Sequence, residues 1–126
     1  MPFDNPHQVP ISDLEILVDA RQRISDKDCW VKWRFRDGNR YCLVGALSFA
    51  CGSPNFNVTN ETEQRLARLL AEQISAEPHW WNKLSYFSAR TRLMSFNDRR
   101  RTKHEDVLAV YDRTIQHLIS LTEARR

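Results

Sequence analysis

Apolar residues recur at helical spacing near the start of the chain. Ser12 and Glu15 form a capping box, the pattern in which the two side chains bond each other's backbone amides at the start of a helix. A helix is therefore predicted over residues 13–24. Its expected inner face consists of Leu14, Leu17, Val18 and Ile24.

The second half of the chain has the same helical pattern. Asn60 is placed to cap a helix over residues 61–75, whose leucines fall on one face. A second capping box at Thr102 and Glu105 predicts a last helix that ends near residue 122. The residues just before this cap, 93–98, show no regular period and are predicted to form an extended connection.

Residues 41–52 are the longest nearly uncharged apolar run in the chain. They are apolar on more than one face, which predicts a short helix buried at the centre of the fold. Gly52 and Pro54 mark its end, because glycine tolerates the left-handed conformation and proline cannot continue a helix. Gly45 inside the run costs about 1 kcal/mol relative to alanine. We attribute this cost to the close approach of another backbone or an aromatic ring.

The period changes from helical to alternating between residues 29 and 35, which predicts a strand. The apolar face of this strand would carry Val31, Trp33 and Phe35. Residues 37–39, Asp-Gly-Asn, form a turn signal, and residues 40–41 are predicted to return as a short second strand. A small hairpin is therefore expected to lead into the central helix.

Together these elements predict a mostly helical α+β domain, with four or five helices around a short buried central helix and one small β-hairpin. The length of 126 residues fits a single domain over residues 1–126. Residues 1–10 contain three prolines and are expected to form a flexible tail.

Composition narrows the environment in which the protein is expected to act. No segment reaches the roughly 18 apolar residues that a membrane span needs, and the first residues lack a leader pattern, so we expect a cytoplasmic protein without membrane contact. Cys29, Cys42 and Cys51 are an odd count without zinc-knuckle spacing. We therefore expect reduced thiols, no metal site and no cofactor.

The net charge of +3 is unevenly distributed, with a surplus of five positive charges between residues 90 and 103. Such a basic cluster can hold an anionic ligand, although a solvated turn rich in arginine is the commoner explanation. Four aromatic residues lie close before it, including Trp80, Trp81 and Tyr86. Core packing accounts for most such residues, but Trp80, Trp81 and Tyr86 are also candidates for contact with another protein. Combined with the arginines they could also stack the bases of a single strand, for which we expect weak binding at most.

The sharpest catalytic hypothesis is a cysteine-dependent hydrolase. Cys42 lies near the start of the central helix, where the helix dipole lowers the pKa of a thiol. His104 is the candidate base, and Asp98 or Asn97 would orient it. The competing interpretation is that Cys42 is a small apolar residue of the core, as cysteines in apolar helices usually are.

A binding hypothesis uses some of the same residues. Arg40, Asn97, Asp98 and Arg101 could surround a small pocket at the mouth of the central helix and hold a phosphate or a carboxylate. Alternatively, Asn97 and Asp98 bond to nearby backbone and lock the last helix onto the central one.

The run C-L-V-G-A at positions 42–46, the run F-N-D at 96–98 and the pair R-T at 101–102 resemble a family of small bacterial and phage proteins of unknown function. The resemblance covers about residues 13–119, and the segment from Trp80 to Arg92 departs from the family's shorter form. It implies no activity, but it implies that the two motifs meet in the fold. We conclude that the chain is best interpreted as a non-enzymatic binding or regulatory module. The cysteine hydrolase and a weak nucleic-acid-binding accessory protein remain alternatives.

Overall fold

The computed structural model describes residues 12–52, 60–74 and 86–124, with side chains from residue 89 onward in the last range. The tail of residues 1–10, Trp80, Trp81 and the side chain of Tyr86 lie outside what is described. The described ranges contain five α-helices, one short 3₁₀-helix and one two-stranded hairpin. The predicted fold class is confirmed.

The helices and strands are named in the order in which they occur along the chain. The α-helices are α1 (Asp13–Arg23), α2 (Leu43–Ala50), α3 (Glu61–Glu72), α4 (Tyr86–Asp98) and α5 (His104–Ala124). A 3₁₀-helix (Lys27–Cys29) follows α1, and strand β1 (Arg36–Asp37) pairs antiparallel with β2 (Arg40–Tyr41) immediately before α2.

Helix α1 begins at the predicted capping box. The Glu15 amide donates to Ser12 Oγ over 3.1 Å, and the Ser12 amide donates to Glu15 Oε1 over 3.1 Å. The prediction for its inner face was partly wrong, because Val18 is 43% exposed. The face that packs on α2 and α5 is instead formed by Ile16, Leu17, Ala20 and Ile24.

Helix α2 lies at the centre of the core, as predicted. Every residue from 41 to 48 is buried, and both Leu43 and Leu47 are completely inaccessible. A Cβ atom at Gly45 would overlap the carbonyl oxygen of Phe35, so the glycine allows the chain before the hairpin to pass directly over the helix. The expected close approach at Gly45 is therefore an approach of backbone.

Helix α5 covers the core with Val107, Val110, Tyr111 and Thr114, all buried. Its start differs from the predicted capping box by one residue. The helix begins at His104, and the Lys103 amide donates to Asp106 Oδ2 over 2.8 Å. Asp106 therefore has the role predicted for Glu105.

The predicted strand over residues 29–35 was wrong. This stretch contains the end of the 3₁₀-helix and a single bridge between Trp30 and Tyr41, followed by irregular chain. Trp33 has a φ of 68°, which interrupts the alternation of faces that a strand requires. The turn was predicted correctly, with Gly38 at a φ of 65° between β1 and β2.

The predicted extended connection over residues 93–98 was also wrong, because these residues form the last turns of α4. Leu93 is completely buried in the core, and Asn97, one turn further along the helix, is completely buried as well. The end of α4 thus brings a polar side chain to the beginning of α2.

Candidate functional site

Asn97 is the centre of a buried hydrogen-bond network at the end of α4. Its Oδ1 accepts from Trp30 Nε1 over 2.6 Å and from the Leu43 amide over 3.1 Å. Its Nδ2 donates to the Val31 carbonyl over 3.1 Å and to Asp98 Oδ1 over 3.0 Å. All four hydrogen bonds that an asparagine side chain commonly makes are therefore formed. This side chain fixes two other parts of the chain, the segment 30–33 and the first turn of α2.

The contact between Asn97 and Leu43 joins the two sequence motifs that the resemblance expected to meet. The amide of Leu43 is one of the donors at the start of α2 that have no partner within the helix. Its carbonyl accepts from the buried hydroxyl of Tyr111 over 2.8 Å. The amide and the carbonyl of Leu43 are thus bonded to two other helices, α4 and α5.

Asp98 extends the network to the surface. Its Oδ1 accepts from the Trp33 amide over 2.8 Å as well as from Asn97. Trp33 itself is 75% exposed and has the positive φ that bulky residues rarely adopt. Asp98 therefore holds a strained backbone that presents an indole ring to solvent.

Lys32 ties the same segment to the turn after α4. Its ammonium group donates to the carbonyl of Arg99 and lies 5.6 Å from the centre of the Trp30 ring. We call Lys32, Trp33 and Arg34, together with the turn Arg99, Arg100 and Arg101, the Trp33 surface.

His104 also lies beside Trp30, with ring centres 5.8 Å apart. Its Nε2 lies 2.6 Å from the carbonyl oxygen of Ile24. Because a carbonyl only accepts, Nε2 carries the proton and donates it to this bond. That nitrogen is therefore occupied by main chain and is not available as the base of the hydrolase hypothesis.

Cys42 caps α2 from within the core. Cys42 is 5% exposed, and its Sγ accepts a hydrogen bond from the Gly45 amide over 3.2 Å. Burial raises the pKa of Cys42, and the negative charge of Asp98 adds to this, while the amides of Gly45 and Val44 act in the opposite direction. The thiol is therefore kept protonated, whereas a nucleophile needs the thiolate.

The structure brings together two of the four residues that were assigned to an anion pocket. Asn97 and Asp98 are adjacent, but they bond to each other and to the segment 30–33. Arg40 is exposed in the hairpin and forms an ion pair with Asp37 across the turn. Arg101 is exposed in the turn between α4 and α5. The binding roles assigned to these residues stay predictions.

The basic cluster of residues 90–103 is divided between core and surface. Arg90 is only 7% exposed, with its guanidinium 5.9 Å from the centre of the Phe35 ring. Arg99, Arg100, Arg101 and Lys103 are exposed. The charge available to a partner is therefore concentrated in the turn after α4.

A second buried polar contact joins α2 to α3, where Ser48 Oγ donates to Glu63 Oε2 over 2.8 Å. Both residues are buried. The sequence suggested neither role, because Ser48 lies within an apolar run and Glu63 lies within the helix predicted over residues 61–75.

The cysteines, the candidate metal ligands and the helices of the described ranges bear on metal binding and membrane insertion. All three cysteines have free thiols. Within residues 12–52, 60–74 and 86–124, no three side chains of the types that bind metals come together. No helix of these ranges is long and apolar enough to cross a membrane.

The functional residues that sequence reasoning missed are Trp30, Val31 and Trp33. They had been assigned to a strand, so neither their contact with Asn97 and Asp98 nor the exposure of Trp33 was expected. The signal that could have found them is the pair of adjacent polar residues 97 and 98 directly after the apolar Phe96, since a buried amide needs partners.

The fold and the network define a small, mostly helical α+β domain in which a helix end fixes an irregular surface segment. The chain belongs to a family of unknown function (DUF6197), whose model matches residues 8–117. No curated protein and no solved structure matches the chain.

Proposed function

We propose that this protein is a small non-enzymatic binding or regulatory module that contacts its partner through the Trp33 surface. The observation that carries the proposal is the exposed indole of Trp33. The backbone of Trp33 has a φ of 68°, and its amide donates to Asp98. A left-handed conformation costs a residue other than glycine about 1–2 kcal/mol. Strain of this kind is concentrated at functional sites.

Exposure supports the same conclusion. Among the described residues, the other large apolar side chains that are exposed are Val18 and Leu121, each at 43%, well below the 75% of Trp33. Tryptophan and arginine are also the residues that most often dominate the energy of protein interfaces. A rigid tryptophan beside exposed arginines is therefore a favourable contact point.

The network beneath the surface explains how the indole is positioned. Asn97 fixes Trp30 and Val31, and Asp98 fixes Trp33, so the segment is connected at three successive points to the end of α4. Less conformational freedom then has to be lost on binding. Asn97 and Asp98, which were assigned to an anion pocket from the sequence, act in this proposal as positioning residues.

The proposal includes a cytoplasmic location, which the free thiols of all three cysteines support, because reducing compartments keep thiols reduced. An origin in bacteria or phage is part of it as well and is supported by the motif resemblance alone.

Site-specific photo-crosslinking in cells that produce the protein tests the proposal. A photoreactive phenylalanine derivative replaces Trp33 in one variant and Val18, which is exposed on α1, in a matched control. We expect a discrete cross-linked product from position 33 and none from position 18. Equal background at both positions would show that the Trp33 surface contacts no partner.

A further inference from the structure

The Trp33 surface combines one apolar anchor with a high local positive charge. Residues 32–34 and 98–101 contain one lysine and four arginines against the single carboxylate of Asp98. The four arginines are exposed. Asp98 already accepts hydrogen bonds from Trp33 and Asn97, so its charge faces the segment that it holds.

The two stretches of chain are held side by side. The Trp33 amide bonds Asp98, and the Lys32 ammonium bonds the carbonyl of Arg99. These two bonds place the backbone of residues 32 and 33 beside the turn that carries Arg99, Arg100 and Arg101. A partner that covers both stretches meets the exposed Trp33 indole as well as the exposed arginines of the turn.

We propose, on the basis of the function proposed above, that the partner is an acidic protein segment that covers the Trp33 indole with an apolar side chain or recess and meets the arginines with carboxylates. Guanidinium groups bind carboxylates through paired hydrogen bonds, and burial of the indole supplies the apolar part of the affinity. Opposite charges also accelerate the encounter of the two proteins.

A single-stranded nucleic acid is the competing partner, because it too combines negative charge with flat apolar groups. Proteins that bind single strands stack successive bases on several aromatic side chains along a basic groove. In the described ranges, the Trp33 surface offers one exposed aromatic ring. One exposed ring beside several exposed arginines fits a single apolar anchor with surrounding carboxylates better than a row of stacked bases.

Selection from a random peptide library displayed on phage tests the ligand class. The wild-type protein is the bait, and the Trp33→Ala protein is used in counter-selection, so that retained peptides depend on the indole. We expect the retained peptides to be enriched about twofold or more in aspartate and glutamate over the starting library. Retained peptides without this enrichment, or the absence of Trp33-dependent peptides, would overturn the proposal.

The consensus peptide is then synthesised and its affinity measured by fluorescence anisotropy. Arg100→Glu should weaken binding about tenfold or more, and the matched Arg68→Glu, an exposed charge reversal on α3, less than about twofold. Trp33→Ala should also weaken binding about tenfold or more, with the circular dichroism spectrum unchanged. Equal effects of the two charge reversals would contradict the role of the arginine turn.

An oligothymidylate of the same length as the peptide distinguishes the competing partner. Tighter, Trp33-dependent binding of the oligonucleotide than of the peptide would overturn the acidic-protein proposal and favour a nucleic acid. The two proposals fail separately. A cross-link at position 33 to a partner that is not acidic would retain the binding module and reject the acidic ligand, whereas equal background at positions 33 and 18 would reject the binding surface itself.

Discussion

The centre of α2 and the segment 30–33 are both fixed in place, but by different forces. The side chains of Leu43 and Leu47 are completely closed to solvent within the apolar core. The segment 30–33 is held by directional hydrogen bonds from Asn97 and Asp98, and it ends in a side chain that is 75% exposed. Apolar burial stabilises the fold, whereas the polar network determines the orientation of a surface. Substitutions in the two regions should therefore differ in how much they lower the stability and in which part of the chain they disturb.

The largest effect is expected in the apolar centre. Leu47→Ala should lower the free energy of unfolding by about 2–5 kcal/mol, because it leaves a cavity where a completely buried side chain was packed. Urea denaturation measures the change. Leu121→Ala on the exposed part of α5 is the control and should change it by less than about 0.5 kcal/mol. Similar values for both variants would mean that α2 is not the centre of the core.

The next effect is expected in the polar network. Asn97→Ala should cost about 2–3 kcal/mol, because it leaves the buried Leu43 amide and the partly buried Trp30 Nε1 without their acceptor. Hydrogen exchange should show faster exchange at the Leu43 amide. Ser95→Ala, at an exposed position of the same helix, is the control and should alter neither quantity. Unchanged protection of the Leu43 amide in Asn97→Ala would show that the bond from this amide to Asn97 does not stabilise the start of α2.

A smaller effect, of unusual sign, is expected at Trp33. Trp33→Gly should be more stable than Trp33→Ala by about 1 kcal/mol, because glycine adopts a φ of 68° without steric cost. Elsewhere in an extended or helical segment alanine is the more stable of the two. Thermal unfolding of the two variants decides the sign. Greater stability of the alanine variant would show that the backbone at this position is not strained.

The raised pKa of Cys51 should make the stability of the protein depend on pH. Burial, together with the negative charges of Glu63 and Asp13, raises the pKa of Cys51 from 9.0 to about 12. Above pH 9 the unfolded chain therefore loses this proton while the folded protein retains it, so stability falls as the pH rises from 9 towards 12. For this half-buried group we expect a slope below about 1.4 kcal/mol per pH unit.

Urea denaturation at about pH 8 and about pH 10.5 measures the contribution of Cys51, with Cys51→Ala as the comparison. The variant should lose less stability between the two values than the wild type. An equal loss in both proteins would remove Cys51 from the explanation.

The smallest effect is expected from His104→Ala on the reactivity of Cys42. Its buried thiol with a raised pKa should be alkylated by iodoacetamide at neutral pH far more slowly in the folded than in the unfolded protein. His104→Ala should not slow this further. Rapid, His104-dependent labelling of Cys42 would instead support the hydrolase hypothesis.

Helical spacing and capping residues predicted much of the fold because those signals are local. The capping box at Ser12 and Glu15 and the cap at Asn60 both mark helix starts that the structure contains. The strand over residues 29–35 could not be excluded in the same way. Its alternation ends at Trp33, whose backbone is held by the side chain of Asp98, a residue 65 positions away. No local pattern contains that bond.

The candidate site was predictable to a similar extent. The motif resemblance indicated that residues 42–46 and 96–98 meet, and the bond from the Leu43 amide to Asn97 joins them. The burial that keeps Cys42 protonated depends on the packing of several helices. The irregular shape of the segment 30–33, which exposes Trp33, likewise depends on contacts between distant residues. The spacing of residues along the sequence predicts neither the burial of Cys42 nor the exposure of Trp33.

The close passage of Phe35 over Gly45 has a consequence for protein engineering. Replacing glycine by alanine within a helix is a routine way to raise thermal stability, and Gly45 lies within α2. Here the added methyl group would collide with the Phe35 carbonyl, which accepts from the Cys42 amide over 3.3 Å. The substitution would push the irregular segment away from the helix. A stabilisation campaign on this domain should leave Gly45 unchanged and direct its substitutions to the exposed faces of α3 and α5.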